Sequence, residues 1–252
     1  MIHALYLFLL FILSCSPSYD YSHIKVVEVI DGDTVKLSTG QLLRYIGLDT
    51  PEIRIKKEGR FYYSPQPYAY EAKEYNRSLV EGKFVSVEFD VDKKDKYGRL
   101  LGYCFIDGVF VNAKLLEEGY AVLYTYPPNV KYVDLFVSHQ KQARKHKRGM
   151  WGAYEVIEHT EAARHLNQIR TVKGRVISTY KSKNCVFLNF GRNWRTDFTV
   201  VIFNNSLDFF SQKGIDPVRY YKGKLIEVTG RIREYNGPEI IVNSPQEIVA
   251  VE

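Results

Sequence analysis

Four short segments of this chain hold residues that could do chemistry together: Asp31-Gly32-Asp33-Thr34, Arg44, Asp49-Thr50-Pro51-Glu52 and Lys96-Tyr97-Gly98-Arg99. Taken singly, each is an ordinary turn or loop, because Asp-Gly starts hairpins and proline stops strands. Their weight comes from occurring in this order, each at the end of an expected strand. Asp33 and Asp49, with the Thr50 carbonyl, offer hard oxygen ligands suited to Ca²⁺ or Mg²⁺ and unsuited to zinc, since no Cys or His accompanies them. Arg44 and Arg99 could grip phosphate oxygens with paired donors and stabilise the charge that grows in a phosphorane-like transition state. Glu52 would then take the proton from an attacking water. The six histidines are scattered, and the set contains no nucleophilic Ser or Cys. Its chemistry is therefore direct, metal-assisted hydrolysis of a phosphodiester.

Positioning these groups requires a particular run of elements. β-branched Val26, Val27, Val29 and Ile30 precede the Asp31–Thr34 turn, Val35 and Leu37 alternate with polar residues, and Gln41 to Leu48 reads as a third strand. Arg44 and Asp49 lie five apart, so strict alternation places them on opposite faces, and their convergence demands a bend near Gly47. The stretch 54–67 reads as polar loop. Ala72, Tyr75 and Leu79 then recur at helical spacing up to Gly82. Strands over 83–89 and 99–106, a helix over 111–118 and a long helix over 131–148 complete this half. Lys141, Arg144, Lys145 and Arg148 on the last helix read as a solvated face. Five strands with one helix inserted and others following predict a mainly β, α+β fold, a five-stranded Greek-key barrel with packed helices.

A polar helical connector leads to strands over 171–179, 185–190, 196–203, 225–235 and 239–242, with a helix over 206–213. This again is five strands with a helix between the third and fourth, a second small barrel. Residues 24–169 hold 22 Lys+Arg against 20 Asp+Glu, whereas residues 170–252 hold 13 against 8, so the smaller half carries most of the formal charge of +6. Trp194 flanked by Arg192 and Arg195 suggests stacking and phosphate contact with a single strand. Phe187 and Phe198 read as core, and Cys104 and Cys185 as buried thiols. The apolar run 4–13 is too short to span a bilayer, which takes about 20 residues; it has the length of a signal-peptide core. The expected organisation is a leader over 1–14, a tether over 15–23, a first domain over 24–152, a connector over 153–168 and a second domain over 169–252.

Two resemblances sharpen these readings. Ile12-Leu13-Ser14-Cys15 resembles a bacterial lipoprotein signal, which implies an exported chain, secreted or held at the cell envelope by lipid on Cys15. Residues 24 to about 152 resemble the staphylococcal nuclease (thermonuclease) family, whose aspartate-glycine-aspartate-threonine, arginine, aspartate-threonine-proline-glutamate and tyrosine-glycine-arginine motifs all occur here in order. The resemblance implies a barrel with three helices, Ca²⁺ on Asp33, Asp49 and the Thr50 carbonyl, 5′-phosphate contacts from Arg44 and Arg99, and Glu52 as general base. It also implies nucleotide contacts from Lys96, Tyr97, Tyr124 and Tyr126. The implied reaction cleaves DNA and RNA to 3′-phosphate ends; separately, the chain is expected to be a monomer. Residues 170–252 resemble the OB-fold nucleic-acid-binding domains found beside such nucleases. The alternative is a barrel that has lost chemistry and only binds nucleic acid or protein.

Overall fold

The computed structural model describes residues 19–57 and 59–251. The expected leader, Cys15 and the first part of the tether lie outside the described residues.

β1 (Ile24–Val29), β2 (Thr34–Leu37) and β3 (Leu42–Tyr45) form the expected antiparallel meander, with Thr34 opposite Arg44. A short β4 (Leu48–Asp49) follows. The stretch read as polar loop is instead a hairpin, β5 (Arg54–Lys57) and β6 (Arg60–Tyr63), whose Phe61, Tyr62 and Tyr63 remain exposed. Its strands show no alternation of apolar and polar residues because neither face is buried, so the periodicity that betrays a strand is missing.

After α1 (Ala69–Val80), β7 (Phe84–Glu88) pairs with β1, and β8 (Leu100–Ile106) pairs antiparallel with β7 and parallel with β3. That last pairing closes β3-β2-β1-β7-β8 into a five-stranded barrel. β9 (Val109–Phe110) extends the sheet and leads into α2 (Val111–Glu117). β10 (Val122–Leu123) pairs back onto β4, and α3 (Val133–Lys145) and α4 (Met150–Ala153) end this half. The barrel is filled by side chains with no solvent exposure, among them Val26, Val35, Leu37, Leu43, Leu115 and Phe136. Each contributes roughly 1.5–3 kcal/mol of transfer free energy.

The second half has its own core. β11 (Ile157–Glu158) and a 3₁₀ turn (His159–His165) precede β12 (Ile169–Arg175), β13 (Ser178–Lys181), β14 (Cys185–Asn189) and β15 (Thr199–Phe203). Then come α5 (Leu207–Gln212), α6 (Pro217–Tyr220), β16 (Leu225–Arg231), β17 (Arg233–Glu234), β18 (Pro238–Ile241) and β19 (Ile248–Ala250). They make two sheets, β11-β12-β16-β19 and β13-β14-β15-β18-β17. Two expected strands are each broken in the middle, at Val176 and Ile232. Both residues are fully buried, and their N–H groups, Val176 to Lys224 O and Ile232 to Gln168 O, extend the β12–β16 register by one step at either end before the chain leaves for the other sheet. The chain turns a corner there, which an unbroken apolar pattern cannot reveal.

The two halves meet over a defined interface. Val122, Met150 and Ile169 form a small buried cluster with Tyr68, Trp151 and Tyr154 around it. Arg144 pairs across the interface with Glu227 at 3.1 Å, and within the first half Arg148 pairs with Glu117 at 3.3 Å, so half of the basic face expected to be solvated is engaged. Glu247, buried in the second half, accepts from Thr125 N across the interface and from Asn243 N. Burial pushes its carboxyl up to about 8. Because this lies above the unfolded value of about 4.3, the stabilisation from the neutral form is complete at low pH and is lost as pH rises through about 8. Thermal melts from pH 5 to pH 9 should therefore show a larger fall in Tm for the native chain than for Glu247→Gln, and parallel pH profiles would refute this.

Candidate active site

The bend needed to bring Arg44 to Asp49 is present. Gly47 has φ +87°, and a Cβ placed there would lie 2.3 Å from the Phe136 ring. Only glycine combines a left-handed backbone with contact that close. The chain turns at Ile46-Gly47 between β3 and β4, and Arg44 Nη2 donates to Asp49 Oδ1 at 3.0 Å while the same guanidinium pairs with Asp33. Asp33 reaches this point because it directly precedes Thr34, the cross-strand partner of Arg44. Its carboxylate also accepts from Thr50 N at 3.0 Å and Thr50 Oγ1 at 3.1 Å. Gly32 permits that approach, since a Cβ there would sit 2.7 Å from Thr50 Oγ1.

Asp33, Arg44, Asp49 and Thr50 are thus one hydrogen-bonded group at an end of the barrel. Glu52 follows on the loop and is held by its backbone: its N–H donates to Gln66 Oε1 at 2.9 Å and its carbonyl accepts from Gln66 N at 2.9 Å. Burial pushes Asp33 and Glu52 each up to about 7, against the pull of Arg44 on Asp33 and of Arg231 on Glu52. Burial likewise raises Asp31, reinforced by the charge of Glu52. Carboxylates this crowded favour a nearby cation. Among the described residues no group of three or more His, Cys, Asp or Glu is arranged to hold a metal ion. The donors that converge are two carboxylates and a main-chain carbonyl, an all-oxygen set that fits a hard divalent ion and not a thiophilic one.

A family model described as staphylococcal nuclease homologue matches residues 42–153. A thermonuclease of Staphylococcus hyicus is 40% identical over 130 residues, which is 50% of this chain and 74% of that protein. The chain belongs to the staphylococcal nuclease family. Two Bacillus subtilis proteins match the same half: endonuclease YncB at 40% identity and the SPbeta prophage-derived endonuclease YokF at 39%, each over 129 residues and 49% of this chain. The match spans 59% and 42% of those two relatives, so the chain corresponds to about half of their length.

In this staphylococcal nuclease fold the remaining expected residues are spread around the group. Arg99 directly precedes β8, the strand paired with that of Arg44, but its Nε donates to Asp95 at 2.7 Å. Lys96 and Arg99 both lie over the exposed Tyr97 ring, at 5.2 and 5.8 Å. Tyr124 is fixed beside the bend by its N–H to Gly47 O, and Tyr126 is exposed. Sequence reasoning missed Arg231 of the second half. Its guanidinium donates to Asp49 Oδ2 and to the Thr50 carbonyl at 2.8 Å each. It appears in sequence as one more basic residue at a strand end, 182 residues from Asp49, and no local signal marks it.

The second half also carries a cleft of about 520 Å³ lined by Tyr180, Phe187, Trp194 and Tyr235 with Asn189 and Glu239. Phe187, read as core, lies here instead. It alternates with buried Val186 and Leu188, so its side chain leaves the opposite face of β14. Phe198 is buried as expected, and so are the free thiols Cys104 and Cys185. Arg195 stacks 4.4 Å from the Trp194 ring, while Arg192 is exposed.

Proposed function

We propose that this chain is an exported, Ca²⁺-dependent nuclease that hydrolyses phosphodiester bonds of DNA and RNA with little sequence preference and leaves 3′-phosphate ends. The observation that carries the reading is Arg44 bridging Asp33 and Asp49, with the Thr50 carbonyl beside Asp49 on the shared Arg231 Nη2. Asp33, Asp49 and Thr50 O would hold the ion, which when bound would neutralise phosphate charge and polarise the phosphorus–oxygen bonds. Glu52 is anchored through its main chain to Gln66, and its part-exposed carboxylate would orient a water and take its proton. Arg44 supplies donors to the equatorial phosphate oxygens, and Arg99 joins it from the start of the adjacent strand once it turns from Asp95. Lys96, Tyr97, Tyr124 and Tyr126 border the path of the substrate.

The decisive assay is digestion of plasmid and of RNA by the protein with Ca²⁺, then with chelator. Ca²⁺-dependent cleavage with 3′-phosphate ends is expected, and no cleavage with any divalent ion at neutral or alkaline pH would overturn the reading. The run 4–13 followed by Ser14-Cys15 supports export with a lipid anchor on Cys15.

The second domain would hold a single strand of nucleic acid in its aromatic cleft. Trp194, Tyr180 and Tyr235 are half or more exposed, the state expected of stacking platforms and not of core residues. The +5 excess of residues 170–252 supplies sequence-independent attraction. Trp194→Ala should weaken binding of a short oligonucleotide by about 1–3 kcal/mol, read by fluorescence anisotropy over a salt series. Unchanged affinity would remove the cleft from this role.

A further inference from the structure

Arg231 ends β16 in the second domain and projects into the group formed by the first. All five of its N–H donors are used. Nε and Nη2 donate to Asp49 Oδ2 at 3.1 and 2.8 Å, and Nη2 donates to Thr50 O at 2.8 Å. Nη1 donates to Gln66 Oε1 and to Asn167 O at 3.0 Å each. Arg44 holds the other oxygen of Asp49, so that carboxylate carries a guanidinium on each side. Two residues on, past the buried Ile232, Arg233 faces Tyr124, so the same edge of the second domain covers a second stretch of the site.

The oxygens that Arg231 occupies are two of the three assigned to the metal. A hard divalent ion needs those lone pairs at roughly 2.3–2.6 Å. A guanidinium and a divalent ion cannot share them, both because donor hydrogens fill the space and because like charges repel. We propose that Arg231 is an internal cation that competes with the divalent metal for Asp49 and the Thr50 carbonyl, so that metal loading and withdrawal of this arm are one exchange. The proposal rests on the metal reading above.

Exchange has a quantitative consequence. Metal binds only the fraction of molecules in which the arm is withdrawn, so an arm seated nine-tenths of the time weakens apparent affinity about tenfold. By reciprocity, bound metal excludes the seated arm, so rising Ca²⁺ shifts Arg231 out of its contacts with Asp49 and Thr50. Glu52 is tied to the same event, because Arg231 Nη2 also stands 3.8 Å from Glu52 Oε1.

The test is calorimetric titration of the full chain with Ca²⁺, comparing the native protein with Arg231→Met, which keeps the stem and removes the charge, and with Arg231→Lys. Dissociation constants about tenfold or more tighter in Arg231→Met, with Arg231→Lys nearer the native value, are expected. Equal constants, or weaker binding in Arg231→Met, overturn the exchange and leave the metal reading standing. No binding of Ca²⁺ or Mg²⁺ to either protein overturns both. A measurement on the native chain needs no variant to fold: the Arg231 Nε–H resonance, held against Asp49, should move and exchange faster with water at saturating Ca²⁺. An unmoved resonance at saturation overturns the exchange.

Discussion

Replacement of Glu52 by glutamine is expected to lower turnover of nucleic acid about 10²- to 10⁴-fold, the usual contribution of a general base. Glutamine preserves the shape of the side chain, and the contacts that place residue 52, N–H to Gln66 Oε1 and carbonyl from Gln66 N, belong to the main chain and survive the change. What is lost is the ability to accept a proton from water. The loss should fall on kcat, with KM little altered, since the amide still occupies the same site beside the substrate. Circular dichroism and thermal melts of the variant should match the native protein within experimental scatter. A variant that retains native kcat would reassign the base, and one that fails only through KM would turn Glu52 into a binding residue.

The second large effect concerns Gly47. Substitution by alanine should destabilise the protein by about 2–5 kcal/mol, from roughly 1–2 kcal/mol for a left-handed backbone on an L-residue and roughly 1–3 kcal/mol for forcing a methyl group into a packed core. The opposing atoms belong to Phe136, a ring with no solvent exposure in the barrel core, which has little room to give. Urea melts read this directly. Because the same bend joins Arg44 to Asp49, whatever folded protein remains should also bind divalent metal more weakly than the native chain. Stability within 0.5 kcal/mol of native, about the scatter of a neutral surface change, would show that the bend tolerates an ordinary residue and that the argument from Gly47 fails.

Much of this site was legible along the chain because its parts lie at strand ends that are close in sequence. Asp33 and Arg44 are joined by a meander with a short turn, so cross-strand pairing places them together. The meander itself is announced by β-branched alternation and by Asp-Gly and Thr-Gly turns. The need for a bend between Arg44 and Asp49 could be stated from alternation alone, and Gly47 was the residue able to supply it. The exposed hairpin of β5 and β6 escaped because a strand with two wet faces has no period to read. Phe187 was misplaced because an aromatic residue in an apolar strand is usually core, and only the facing side chains decide which side of the sheet it leaves.

From sequence alone came the barrel half, the candidate residues that the structure brings together in it, the presence of a second β unit and the concentration of positive charge in that unit. These follow from local spacing and composition, which survive without knowledge of tertiary contacts. The docking of the second domain onto the first came only from the tertiary structure, because it depends on contacts such as Arg144 with Glu227, Thr125 with Glu247, and Arg231 with Asp49. Such pairs are separated by 83 to 182 residues, and surface charges give no hint of their partners until two cores have formed and their faces meet. The excess charge of the second half is therefore not all turned outward: Arg231 is directed inward, onto Asp49 and the Thr50 carbonyl of the candidate site.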